Sequence, residues 1–268
     1  MAGPGLADPM SDVLRSERRG RVLALTLHRP ECRNALSREL IAELTGALEA
    51  SGADPNLGAV LLMGTPPAFC AGLDLREVAA ETQSGGEHAT GALLGLYTVL
   101  DCLPKPVIAA VNGGAMAGGA GLLTVCDAVL CSESATVGFP GILRGLVAPV
   151  LMGYVVRAVG AGRARYLLLT GRELSAQEAL AWGLVHEIVP DPGLIDRAWQ
   201  RADGLAEISA DAYARTKALL ARLAEHAGDD PAEQSRELGE ALWLTEEARE
   251  ALGRFLSADP RTQQPPPL

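Results

Sequence analysis

The stretch from Val107 to Leu130, "VIAAVNGGAMAGGAGLLTVCDAVL", constrains the fold more than any other. It is the most apolar part of the chain, yet glycines, Asn112 and Asp127 interrupt it, so it makes a poor membrane span. Local patterning instead predicts a buried strand at Val107–Val111, a Gly-rich turn, and a helix from about Gly118 to Cys126. A strand that passes through such a turn into a helix leaves backbone N–H groups without intrahelical partners, and those groups suit a developing negative charge. The turn itself carries no acid, base or nucleophile.

The same alternation runs along most of the chain. Val22–Leu27, ended by His28-Arg29-Pro30, and Ala59–Met63, closed by Gly64, read as strands. Between them Ser37 is placed to cap a helix whose Leu40, Ile41, Leu44 and Leu48 share one face. After the turn Thr65-Pro66-Pro67 a looser helix is expected through Leu100, and Ala128–Cys131 and Thr136–Phe139 read as further short strands. Alternation of this kind predicts α/β layers rather than a bundle. From Pro149 the pattern is mostly helical, with one strand-like run at Val185–Val189 and three helical segments between Asp191 and the region of Phe255, broken near Ser209 and at Gly228–Pro231. The expected division is a disordered leader over 1–12, a core over 13–190, a helical C-terminal region over 191–256, and a disordered tail over 257–268 that ends in Gln-Gln-Pro-Pro-Pro-Leu.

Charge and cysteine usage exclude several classes. The chain of 268 residues has a net charge of −10 and no Lys/Arg-rich block, so the electrostatic footprint of a nucleic-acid binder is missing. Cys32, Cys70, Cys102, Cys126 and Cys131 form neither a CxxC pair nor a Cys/His cluster at zinc spacing, and they read as reduced, mostly buried thiols of a cytoplasmic protein with no metal site. The first residues, "MAGPGLADPMSD", lack the basic and apolar regions of a signal peptide. Gly113, Gly114, Gly118, Gly119 and Gly121 do not give a dinucleotide-binding GxGxxG, and there is no GK[ST] of a P-loop.

A second segment, "FCAGLDL" (Phe69 to Leu75), likewise places small residues after a predicted strand and before a helix. With "LHRPECRNALS" (27 to 37), "KPVIAAVNGGAMAGGAGLLTVCD" and "RARYLLLTGRELSAQEALAWGLVHEIV" (163 to 189), it follows the order found in the crotonase superfamily, or enoyl-CoA hydratase/isomerase family, which the chain resembles over roughly residues 20 to 255. The resemblance implies an α/β fold with a spiral of ββα units, a C-terminal helical region that assembles a homotrimer or hexamer, and a substrate presented as a CoA or acyl-carrier thioester. It implies no cofactor beyond the CoA moiety that the substrate carries. It also implies an oxyanion hole made by two backbone N–H groups, which fall here on Leu73 and Gly118. Arg33, Ala71 and Arg76 match positions around the CoA moiety in relatives; each arginine is equally readable as a solvated surface residue.

The chain departs from that pattern where relatives place acids. A hydratase glutamate is expected three residues after the oxyanion glycine, and here Gly121 stands there; a second is expected after the Pro of "GxPE", and here "GFPG" puts Gly141 there. A third acid of some isomerases falls at Pro149. Hydration needs a water activated at C3 and a proton delivered at C2, so the two-glutamate mechanism is not expected. Enolate stabilisation still fits decarboxylation or isomerisation, and of the two decarboxylation generates the enolate by loss of CO₂ without a protein base. Asp74, Glu77, His88, Arg144 and Tyr154 are the candidates for substitute groups. Asp74 is expected to brace the turn, Glu77 to face solvent, and His88 to lie on a polar stretch readable as surface or lid. Arg144 reads as a partner for a substrate carboxylate or for another protein group. Glycines at 121 and 141, with Leu73, Met116, Phe139 and Leu143 nearby, predict a roomy apolar pocket. The two functional expectations are an enolate-stabilising enzyme and an acyl-CoA-binding sensor or accessory subunit without activity.

Overall fold

The computed structural model describes residues 12–84, 89–147 and 149–225, with residues 250 and 257. In chain order the elements are β1 (Leu14–Arg19), β2 (Val22–Leu27), α1 (Arg38–Ala53), β3 (Ala59–Gly64), β4 (Ala68–Cys70), α2 (Leu75–Ser84), α3 (Ala89–Cys102), β5 (Val107–Val111), β6 (Gly114–Met116), α4 (Gly118–Leu123), β7 (Ala128–Ser132), β8 (Thr136–Gly138), α5 (Pro149–Thr170), β9 (Glu173–Ser175), α6 (Ala176–Trp182), β10 (Glu187–Val189), α7 (Leu194–Ala206) and α8 (Ala210–Glu225).

Six strands form one sheet in the order β1-β2-β3-β5-β7-β10, parallel except for the β1–β2 pair. The central strands read as continuous apolar runs because both faces of the sheet are covered. One face, with Leu25, Leu27, Val60, Leu62, Ala109 and Val111, packs into the main core with α1 and α3. The opposite face, with Ala24, Leu61, Ile108 and Ala110, is covered by Leu194, Ala198, Trp199 and Ala202 of α7, which recur at helical spacing. Each fully buried leucine of this kind contributes roughly 1.5–3 kcal/mol relative to exposure. Ser37 accepts the Leu40 N–H at 3.1 Å and so starts α1, whose Leu40, Ile41, Leu44 and Leu48 are buried as their spacing predicts.

A second sheet, β4-β6-β8-β9, positions the site. Its β4 and β6 are adjacent and parallel, with Ala68 opposite Gly114 and Cys70 opposite Ala115. Parallel neighbours end on the same side, so the turn from β4 into α2 and the turn from β6 into α4 emerge side by side. The C-terminal part docks through α8, where the Lys217 ammonium lies 2.9 Å from Asp127 and donates to the Leu100 carbonyl at 3.1 Å.

Several elements differ from the sequence expectation. The helix expected over Gly118–Cys126 ends at Leu123, where Thr124 turns its N–H and hydroxyl back onto the Gly121 carbonyl. The looser helix before Leu100 is two helices, α2 and α3. β10 spans only Glu187–Val189 of the expected run, and the sequence pattern marks no strand at β1, β4, β6 or β9. β1 carries the polar sequence LRSERR on a sheet edge, and the other three are three residues long, too short to show a period. α7 and α8 match two of the three C-terminal segments; the third, like most of the leader and the tail, lies outside the described residues.

Candidate active site

The first turn is held from behind. Arg33 adopts a left-handed conformation, and its carbonyl accepts the Ala71 N–H at 2.9 Å, while the carbonyl of Gly72 and the N–H of Asp74 bond the backbone of Leu36 at 2.8 and 3.0 Å. These bonds grip the backbone on both sides of Leu73, whose own N–H has no backbone acceptor among the described residues. Asp74 then fixes the start of α2, accepting from the Arg76 N–H at 3.1 Å and from the two terminal guanidinium nitrogens of Arg29 at 3.0 Å each. Burial opposes ionisation of Asp74, but the Arg29 hydrogen bonds and the Arg76 amide outweigh it and hold the carboxyl below its usual range. Asp74 is thus the brace expected from its position.

The second turn pivots on Ala117, at φ 48° and ψ −116°, between β6 and α4. Its N–H donates to the Gly138 carbonyl at 2.8 Å, and its carbonyl accepts the Gly121 N–H at 2.9 Å. The N–H of Gly118, which begins α4, likewise has no backbone acceptor among the described residues.

The structure brings these two N–H groups together. Gly72, at φ 90°, is so close to the second turn that a Cβ on it would lie 3.0 Å from the Gly118 nitrogen. A Cβ on Gly118 would lie 3.6 Å from the Leu73 nitrogen and 3.3 Å from the Leu93 side chain on α3. Gly72 in particular must lack a side chain, because its φ is positive and a Cβ there would also lie 2.9 Å from the Met116 carbonyl oxygen. Arg33 and Arg76 stand at the rim of the first turn, both exposed and without a side-chain partner among the described residues. Ala71 is half-buried between them.

Gly121 and Gly141 prove unlike. A Cβ on Gly121 would stand 2.1 Å from the Tyr97 hydroxyl oxygen and 2.8 Å from the ring carbon that bears it. The phenol of Tyr97, fully buried on α3, fills that space and donates to the Gly118 carbonyl at 2.6 Å. Burial raises its pKa well above the ordinary value, so it stays protonated. A Cβ on Gly141 would meet nothing closer than the Leu146 carbonyl at 3.5 Å.

The other sequence candidates fall into structural duties or outside the described residues. Glu77 does not simply face solvent: it is half-buried and accepts the Arg38 N–H at 2.9 Å, capping α1. Tyr154 sits edge-on to Tyr97, with ring centroids 5.3 Å apart, beneath the guanidinium of Arg157. Arg144 is exposed beside Gly141, with one nitrogen 3.5 Å from the Pro140 carbonyl. His88 lies outside the described residues. Cys70, which ends β4, has its pKa pushed up to about 12 by burial and is no nucleophile at neutral pH. Tyr97 escaped the sequence reading because it sits in an apolar helical stripe with Leu93, Leu96 and Leu100, which by itself signals only a core face.

Two mixed sheets, paired strand-to-helix turns and following helices make this an α/β protein of the crotonase fold, and the chain superimposes on an enoyl-CoA hydratase from Mycobacterium smegmatis with a TM-score of 0.83, at 29% identity over 96% of this chain and 99% of the other. The chain belongs to the enoyl-CoA hydratase/isomerase family, whose model matches residues 17–262. It is similar to the 2,3-dehydroadipyl-CoA hydratase of Escherichia coli, with 35% identity over 92% of this chain and 95% of the relative. It is also similar to the mevalonyl-coenzyme A hydratase of Beauveria bassiana, with 35% identity over 85% of each chain. No helix among the described residues is long and apolar enough to cross a membrane.

Proposed function

We propose that this protein is an enzyme acting on an acyl-CoA or acyl-carrier thioester, in which the Leu73 and Gly118 N–H groups form an oxyanion hole for a thioester enolate. Decarboxylation or isomerisation fits the site better than two-glutamate hydration. The observation that carries this reading is the meeting of two N–H groups without backbone acceptors in a chain that has glycine, not an acid, at 121 and 141. The family's hydratases support the acyl-CoA thioester as substrate class.

Decarboxylation asks least of the residues present. In a malonyl-type thioester the bond from C2 to its carboxylate breaks, its electron pair enters the C2–C1 π-system, and negative charge collects on the thioester oxygen. Two N–H donors aimed at that oxygen stabilise the charge; losing one such donor typically costs about 2.7–4 kcal/mol. Carbon dioxide leaves, and water protonates C2, so no protein base is needed. Arg144, exposed beside Gly141, suits the substrate carboxylate, and Arg33, Ala71 and Arg76 suit the CoA moiety at the rim of the first turn. Exposed Leu143, Val147 and Leu169, at 69%, 71% and 59%, support burial of this side of the molecule in a homotrimer or hexamer.

Acyl-CoA binding without turnover is the second reading. The protonated Tyr97 phenol favours it, because the volume next to Gly121 holds a group that does not ionise at neutral pH. Mass spectrometry of saturated, 2-enoyl, 3-enoyl, malonyl-type and 3-methylglutaconyl thioesters incubated with the protein in deuterated water separates the readings. Loss of CO₂, or deuterium at C2 alone, is the expected outcome. Water addition overturns the non-hydration assignment, and binding with no mass change establishes the second reading.

A further inference from the structure

We propose that Tyr97 is a positioning residue of the Leu73–Gly118 pair, and that the phenol at 97 and any side chain at 121 are alternatives for one volume. The inference rests on the oxyanion-hole reading and adds a residue that the family resemblance does not supply.

The Gly118 N–H belongs to the peptide that follows Ala117, a non-glycine residue at φ 48°. An L-residue resists that conformation, so it persists only where neighbours over-determine it. Upstream, the Ala117 N–H is tied to Gly138. Downstream, the Tyr97 hydroxyl ties the Gly118 carbonyl at 2.6 Å. Gly118 carries no side chain that could set its own orientation, so this bond fixes the residue whose N–H faces Leu73. The phenol is itself immobilised, fully buried on α3 and edge-on to Tyr154 of α5. Tyr154 lies under Arg157, which pairs with Asp101 of α3 at 2.7 and 2.9 Å. The helix pair α3–α5 therefore carries its rigidity into the site through one hydroxyl group.

Reciprocity follows from the same coordinates. A methyl group on residue 121 would overlap the phenol oxygen at 2.1 Å and the ring carbons at 2.8 and 3.2 Å, so any side chain there must evict the ring. An acid at 121 and a tyrosine in this rotamer at 97 exclude each other.

The test uses a conjugated acyl-CoA, cinnamoyl-CoA, whose absorption moves to longer wavelength when donors polarise its thioester carbonyl. Its spectral shift and Kd, together with Tm, are measured for the full-length wild type, Tyr97→Phe and Gly121→Ala. With a substrate identified by the mass panel, kcat and KM are added. The wild type is expected to red-shift the bound probe. Tyr97→Phe, which removes only the hydroxyl, is expected to bind it within about threefold of the wild type but to lose at least half the shift. Its kcat is expected to fall about tenfold with KM nearly unchanged. Gly121→Ala, which displaces the phenol from the opposite side, is expected to reproduce the lost shift and decides the matter if Tyr97→Phe does not fold. A full shift in a folded Tyr97→Phe protein overturns the positioning role and leaves the oxyanion reading standing. A wild type that binds the probe with no shift, or does not bind it, overturns that reading and the Tyr97 proposal with it.

Discussion

At Gly121 the space for a side chain is already taken by the Tyr97 phenol, 2.1 Å from where a Cβ would be, whereas at Gly141 the nearest atom lies 3.5 Å away. In the sequence the two positions look alike, each a glycine where a hydratase of the family is expected to carry an acid. In the structure one is a packed junction between α3 and α4, and the other is a half-buried residue on the short turn Pro140–Arg144. The first glycine is required by its surroundings, and the second is tolerated by them. Restoring an acid is thus a local change at 141 and a rearrangement of the core at 121.

The largest effect is expected at the N–H of Gly118, one helical turn before Gly121 on α4. Gly118→Pro removes that donor at the first position of α4 and, in a variant that folds, is expected to lower the rate on a substrate found by the mass panel about 10²–10³-fold. A variant that keeps its rate and its Tm shows that the Gly118 N–H does no chemistry.

Gly121→Glu comes next. Overpacking against Tyr97, with a carboxylate brought into a buried space, is expected to cost about 3 kcal/mol, measured by urea unfolding. Adding Tyr97→Leu is expected to reduce the penalty of Gly121→Glu by at least about 1 kcal/mol, a coupling that a double-mutant cycle measures. Additive effects of the two substitutions break the steric link between these residues.

Gly141→Glu is expected to change stability by no more than about 0.5 kcal/mol. A loss as large as that at Gly121 erases the contrast between the two positions. Water addition to a 2-enoyl-CoA is expected from Tyr97→Leu/Gly121→Glu/Gly141→Glu and not from Gly141→Glu alone, with mass spectrometry as the readout.

The smallest effect lies in the alkaline range. Burial raises the Tyr97 pKa in the folded protein above its unfolded value of about 10, so the unfolded chain loses the proton first. The stabilisation is complete below about pH 10 and is lost as pH rises beyond it. Tyr213 shifts in the same direction, so the informative quantity is the difference between the wild type and Tyr97→Phe, whose stability is expected to fall less steeply above pH 10. Parallel curves place the Tyr97 hydroxyl in contact with solvent.

How much of this was legible depended on whether the signal was local. β2 and β5 run Val22–Leu27 and Val107–Val111 as their apolar runs predict, because a strand covered on both faces needs no polar alternation. Ser37 announced α1, since a cap and its apolar stripe lie within one short window. β4 and β6 went unread because three residues show no period, although their parallel pairing is what sets the two turns side by side. Glu77 reads as a solvent-facing helix residue until α1 arrives beneath it, 39 positions earlier in the chain.

Residue order along the chain sets the alternating α/β pattern, the two small-residue turns, the family, and glycine at 121 and 141. Those are properties of residues and their neighbours along the chain. Packing between distant elements is what brings the Leu73 and Gly118 N–H groups together, commits Asp74 to Arg29, and sets Gly121 against a phenol while leaving Gly141 room for a side chain. Each of these depends on contact between elements far apart in sequence, and a tyrosine in an apolar helical stripe looks the same whether its hydroxyl meets a core carbonyl or the backbone of a candidate site.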